Sequence, residues 1–126
     1  LADVETEDTA IVTLKFKNGA LGIIEATTAT RPTNLEGSIS ILGEHGTVVV
    51  GGVAVNEMQT WVFEDEQEGD SSVLEEFSVN PPNVYGFGHQ AYYEHVVDCI
   101  VNGSANSVDG LQGRKSIELI SAIYES

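Results

Sequence analysis

Residues 80–103 read NPPNVYGFGHQAYYEHVVDCIVNG, and a change of period inside this stretch decides the fold class. Pro81 and Pro82 cannot donate to a strand ladder, so they end the extended region before them. From Gly88 to Asn102, Tyr93, Val96, Val97 and Ile100 recur at helical spacing, and Asn102-Gly103 is a helix stop. After the loop SANSV, Asp109 offers an N-cap, with Gln112 three residues on, close to a capping box. Ile117, Ile120, Ile123 and Tyr124 then carry a second helix over about 111–125.

Upstream of the prolines the period is two. TAIVTLKF alternates Ala10, Val12, Leu14 and Phe16 against Ile11, Thr13 and Lys15. Asn18-Gly19 follows, the residues of a type I′ hairpin turn. With that turn, Phe16 faces Leu21, Leu14 faces Ile23 and Val12 faces Glu25. The other face pairs Lys15 with Gly22, Thr13 with Ile24 and Ile11 with Ala26. That second face is flat and half apolar. It suits either a packed sheet, such as a second subunit's, or a partly solvated antiparallel face. SISILG and TVVVGG form a second hairpin around GEHG, with His45 exposed and structural in its turn. MQTWVFE is a further strand, Glu64–Ser72 a solvated acidic loop, and SVLEEFSV a final short strand. Strands first and helices last give an α+β class: an open, predominantly antiparallel sheet with helices packed on one face.

The charge balance narrows function. Twenty acidic residues against five basic ones leave a net charge of −15, which repels phosphate backbones and anionic membranes. The acid is dispersed rather than gathered in a tail, as adaptation to high salt would have it. No apolar run approaches the roughly 18–20 residues of a membrane span. The start, LADVETEDTA, has no basic signal-peptide region. The single cysteine, Cys99, falls in a helical apolar pattern and reads as a core thiol, consistent with a reducing, cytoplasmic compartment. A length of 126 residues bounds the chain to one domain. A first residue other than methionine points to a piece of a longer protein or to a chain whose early residues are not present.

No complete catalytic constellation is present. There is no G-x-G-x-x-G, no P-loop, no cysteine–histidine metal cluster and no G-x-S-x-G elbow. Gly51-Gly52 follows a strand but precedes another strand. The candidate binding residues are polar groups where sheet gives way to helix. Arg31 and Asn34 lie in TATRPTNLEGS; Arg31 either pairs with Glu36 or binds an anionic ligand group. Asn83, Tyr85 and His89 lie in or beside the loop before the first long helix, whose N-terminal amides favour anions. His89 is either a ligand contact or the polar start of an ordinary helix. His95 reads as a surface residue. Arg114 and Lys115 open the last helix against its dipole, which points to partner contacts or to neighbouring carboxylates.

Three stretches carry a resemblance: RPTNLEGSISILGEHGTVVVGG (31–52), NVYGFGHQAYYEHVVDCI (83–100) and VDGLQGRKSIELISAIYES (108–126). Together they resemble the C-terminal domain of the Gfo/Idh/MocA oxidoreductases, a dihydrodipicolinate-reductase-like domain, and within that family the WlbA-like sugar-nucleotide dehydrogenases. YGFGH and GRKSIELISAIYES are the most specific pieces. The resemblance implies an upstream Rossmann domain, absent here, that holds NAD or NADP and the catalytic groups. Residues 1–126 are then one substrate-binding and oligomerisation domain, with no catalytic, cofactor or metal residues of its own and inactive alone. It further implies a sugar or UDP-sugar substrate, self-association through the open sheet face, and His89, Tyr85, Asn83, Arg31 and Asn34 on the substrate side. The alternative is a stand-alone sugar-binding or dimerisation module without redox activity.

Overall fold

The computed structural model describes residues 5–35, 37–79, 81–82 and 85–126. The chain divides into two compact units, one formed by residues 1–34 with 106–126 and the other by residues 35–105.

The first unit holds β1 (Thr9–Lys15), β2 (Leu21–Thr27) and α3 (Gly110–Glu125). β1 and β2 pair antiparallel, with Lys15 opposite Leu21, Leu14 opposite Gly22 and Val12 opposite Ile24. This is one residue out of the expected register. The cause is the turn. Phe16 accepts from the Gly19 N–H at 2.9 Å and donates its own N–H to Ala20 at 2.9 Å. Lys17, Asn18 and Gly19 thus form a three-residue loop. Only Gly19, at φ 94°, is left-handed there, whereas a type I′ turn needs two such residues. A one-residue slip moves every β2 side chain to the other face relative to β1. Ala10, Val12, Leu14, Gly22 and Ile24 now share a half-covered face. Ile11, Leu21 and Ile23 share the opposite one, each more than 70% exposed.

α3 starts where the sequence places a cap: Asp109 Oδ1 accepts the Gln112 N–H at 3.0 Å. At the helix's far end Tyr124 donates its hydroxyl to the Glu7 carboxylate. That bond holds the Glu7 carboxyl below its usual range and pushes the Tyr124 phenol above its own.

The second unit holds a three-stranded antiparallel sheet in the order β3-β4-β5, with β3 Ile39–Leu42, β4 Gly46–Gly51 and β5 Glu57–Phe63. β4, the central strand, is the most covered. The register between β4 and β5 shifts at Val49/Val50, and the Gln59 side chain lies against Gly51. His45 closes the β3–β4 turn, exposed as expected, and meets Glu64 Oε2 at 3.0 Å.

SVLEEFSV is not a strand. Residues 70–76 form a short helix, α1 (Asp70–Glu76), so the acidic loop ends at Gly69 rather than at Ser72. Gly69, at φ 98°, reverses the chain. Asp70 then accepts the Gln67 N–H at 2.7 Å and the Trp61 indole N–H at 2.8 Å. These bonds start a helix against β5, and the Phe77 N–H closes its C-terminal end by donating to the Val73 carbonyl at 3.0 Å. After α1 the chain bonds back to β5: Ser78 bridges opposite Glu57, and the Phe77 carbonyl accepts the Met58 N–H at 3.0 Å.

α2 (Gly88–Asn102) matches its expected bounds and ends on Gly103 at φ 66°. Cys99 is its buried residue, 9% exposed and the only buried hydrophobic side chain among those described. His95 is half-buried rather than superficial, with Nε2 3.6 Å from the Cys99 sulfur. The spacing of four puts both on one helix face. The molecule is α+β, with antiparallel sheets and three helices. No described helix is long and apolar enough to cross a membrane.

Candidate functional site

Local backbone chemistry builds the entry to α2. Gly86 takes φ 67°, a conformation that favours glycine, and turns the chain so that Phe87 stands at the N-cap position. No side chain caps this end, and its first turn holds no acidic residue. The leading amides of α2 are therefore not served by a side chain, and they favour an anion or a hydroxyl oxygen. His89 lies in that first turn, exposed. Its ring meets Tyr85 edge to face, with centroids 6.2 Å apart and planes at 68°. The structure thus brings Tyr85 and His89 together. Asn83 lies outside the described residues.

Arg31 and Asn34 share the loop after β2 in the first unit. Arg31 Nη1 donates to the Thr30 carbonyl at 2.7 Å and to the Thr28 carbonyl at 3.3 Å. Asn34 Oδ1 accepts from the Thr30 hydroxyl at 3.4 Å. The guanidinium is positioned by its own loop. Glu36, the alternative partner for Arg31, lies outside the described residues. Arg114 meets Glu118 at 2.6 Å and Lys115 donates to Gln112 Oε1 at 2.7 Å, so neighbouring side chains account for positive charge at the start of α3.

Sequence reasoning did not single out Asn56. It follows Val55, the only described non-glycine residue with positive φ, at 51°. A β-branched residue there is strained. Asn56 donates its amide N–H to the Val79 carbonyl, while its Oδ1 is buried without a partner. The same residue lines a cleft of about 220 Å³ with Glu76, Phe77, Val79, Phe87 and Gly88. No motif marks such a residue, because the signal arises only when the segment after α1 folds back over β5.

Among the described residues no group of three or more His, Cys, Asp or Glu side chains gathers as a metal site. Gly51-Gly52 leads from β4 through a turn into β5. No helix N-terminus follows these glycines to take a pyrophosphate.

Among curated proteins none matches. The WlbA dehydrogenase from Bordetella pertussis, solved in complex with NADH and UDP-GlcNAcA, is 46% identical over 100% of this chain and superposes with a TM-score of 0.88. The WlbA dehydrogenase from Chromobacterium violaceum, in complex with the same two ligands, is 44% identical over 98% of this chain, with a TM-score of 0.81. The chain spans about a third of those proteins, 36% and 34% of their lengths. The family profile described as "Oxidoreductase family, C-terminal alpha/beta domain" matches residues 2–126. With antiparallel sheets, three helices and this profile over nearly its whole length, the chain belongs to the Gfo/Idh/MocA oxidoreductase family and corresponds to its C-terminal alpha/beta domain.

Proposed function

We propose that this chain is the substrate-binding and oligomerisation domain of an NAD(P)-dependent dehydrogenase acting on a CH–OH group of a sugar nucleotide. The observation that carries this is the identity of 46% across the whole chain to a dehydrogenase solved with UDP-GlcNAcA and NADH. Oxidising a sugar hydroxyl needs a base for its proton and a nicotinamide for the hydride. We assign both to an upstream Rossmann domain, which leaves the chain alone inactive.

This domain's part is orientation. His89 and Tyr85, at the uncapped start of α2, contact the substrate, and Asn83, Arg31 and Asn34 are assigned to it as well. The guanidinium suits an anionic group of a nucleotide sugar, since it can bond one bidentately. The exposed face of Ile11, Leu21 and Ile23 supports self-association as a dimer or tetramer. The compartment is the cytoplasm, and the −15 surface reflects life at high salt.

The test is an assay of the polypeptide that joins this chain to its Rossmann domain, with UDP-GlcNAcA and NAD or NADP. Turnover is expected, and His89→Ala raises KM by about tenfold, the worth of one charge-assisted hydrogen bond, with kcat less affected. No turnover of any sugar nucleotide, or an unchanged KM in the variant, would sink the reading. Light scattering at working salt tests association, and a monomer would count against the sheet-face contact.

A further inference from the structure

We infer that the exposed face of the β1–β2 hairpin takes a second copy of this chain about a two-fold axis at Thr13 and Ile23, with Lys15 of each copy paired to Glu25 of the other. The inference rests on the self-association reading and goes beyond it. It fixes the register of the contact and names the charges that select the partner.

The ladder register carries it. Thr13 lies opposite Ile23, Lys15 opposite Leu21 and Ile11 opposite Glu25, and directly opposed residues share a face. All six are exposed. Lys15 therefore stands two residues from the Thr13–Ile23 pair toward the turn, and Glu25 two residues from it the other way. Within one chain the two charges are four ladder positions apart, about 13 Å, too far to pair. Neither has an ion-pair partner among the described residues.

A symmetric contact satisfies both. A two-fold axis running across the strands at Thr13–Ile23 lays β1 antiparallel over the second copy's β1. Lys15 then reaches the level of the second copy's Glu25, one strand spacing, about 5 Å, to the side. The flexible four-carbon stem of lysine spans that offset, and the same operation makes the reciprocal pair. Strand directions stay aligned, as in sheets packed face to face. An axis along the strands instead sets Lys15 on Leu21 and Glu25 on Ile11, which covers both charges without partners and is costly.

Net charge argues for the same contact. Two copies at −15 repel each other unless a cation meets an acid across the interface. Of the five basic side chains, Arg31 is held by its own loop, Arg114 by Glu118 and Lys115 by Gln112. Lys15 is the one that stands beside the exposed Leu21 and Ile23.

The experiment is sedimentation velocity over a concentration series, at working salt, on the polypeptide that joins this chain to its Rossmann domain. Lys15→Glu and Glu25→Lys each turn two attractions into two repulsions and are expected to weaken association about tenfold. Lys17→Glu, the same charge change placed in the turn, is expected to leave it within about twofold. An equimolar mixture of the Lys15→Glu and Glu25→Lys proteins is expected to regain the parental association, because every contact then joins opposite charges. The double variant Lys15→Glu/Glu25→Lys regains it too, and serves should a single variant not fold. If the parent associates but the single variants do so equally well, or the mixture stays apart, the register is overturned while self-association stands. A loss with Lys17→Glu equal to that with Lys15→Glu overturns it as well, in favour of net charge. If the parent is a monomer, both readings fall.

Discussion

Trp61 donates its indole N–H to Asp70 at 2.8 Å, and the other oxygen of the same carboxylate accepts the Gln67 N–H at 2.7 Å. One side chain thereby closes the acidic loop, starts α1 and fastens both to β5. The Gln67 N–H first, and the Trp61 indole second, hold the Asp70 carboxyl below the usual range. A lowered folded pKa means that the ionised form is favoured in the native state. The contribution is therefore present above the unfolded carboxyl pKa, about 4, and is lost as pH falls through the lowered folded value. Asp70→Ala is expected to lower the melting temperature at pH 7 and to leave a shallower dependence on pH below 4. The chain has a single tryptophan, so fluorescence melts across pH 2–7 report this site directly. Identical pH profiles for variant and parent would refute the linkage.

The Tyr124–Glu7 bond has the opposite sign on its phenol side. The Tyr124 pKa is raised, chiefly by the bond to Glu7, so its contribution is present below the unfolded phenol pKa, about 10, and is lost as pH rises through the folded value. Tyr124→Phe removes this alkaline loss and lowers the melting temperature at pH 7. Melts from pH 7 to 11 on both proteins decide it.

Glycines separate steric from conformational need. A Cβ on Gly46 would collide with the Phe63 ring and come within 2.7 Å of the Val62 carbonyl oxygen. Backbone cannot give way cheaply, and Gly46→Ala costs about 2–3 kcal/mol. At Gly51 the obstruction is the Gln59 side chain, which can swing aside, so Gly51→Ala costs less. Urea titrations that rank the two the other way would contradict the packing of β4 on β5.

Helix glycines give the complementary contrast. Gly103 ends α2 at φ 66°, while Gly113 lies inside α3 with nothing within 4 Å. Gly103→Ala is expected to destabilise by about 1 kcal/mol and Gly113→Ala to stabilise by about 1 kcal/mol. The same titrations measure both.

Salt tests the acidic surface. With a net charge of −15 the folded chain repels itself, and raising salt from 0.1 M to 1 M shortens the screening length from about 10 Å to about 3 Å. The melting temperature is expected to rise steeply over that range in KCl. A flat response would argue against high-salt adaptation.

Much of this molecule was legible without coordinates wherever one local interaction decides the outcome. Asp109 caps α3, Gly103 stops α2 and the spacing of Cys99 places it inside, because caps, stops and periodicity act over one or two turns of chain. The α+β order and the junction of Tyr85 with His89 follow from the same signals. Tertiary structure alone decided the rest. Whether Lys17, Asn18 and Gly19 make a two- or three-residue turn depends on which ladder bonds close, and that choice sets which faces of β1 and β2 are apolar. SVLEEFSV becomes helical because Asp70 finds Trp61, nine residues away on β5, a partner no local pattern names. His95 is half-covered on the α2 face it shares with Cys99, whose sulfur also reaches the Ala105 carbonyl at 3.7 Å. Asn56 draws notice only because its amide is spent on Val79, 23 residues downstream, leaving the oxygen without a donor. Interactions within a few residues are written in the pattern of the chain, whereas those that need two distant segments to meet exist only once the fold has brought them together.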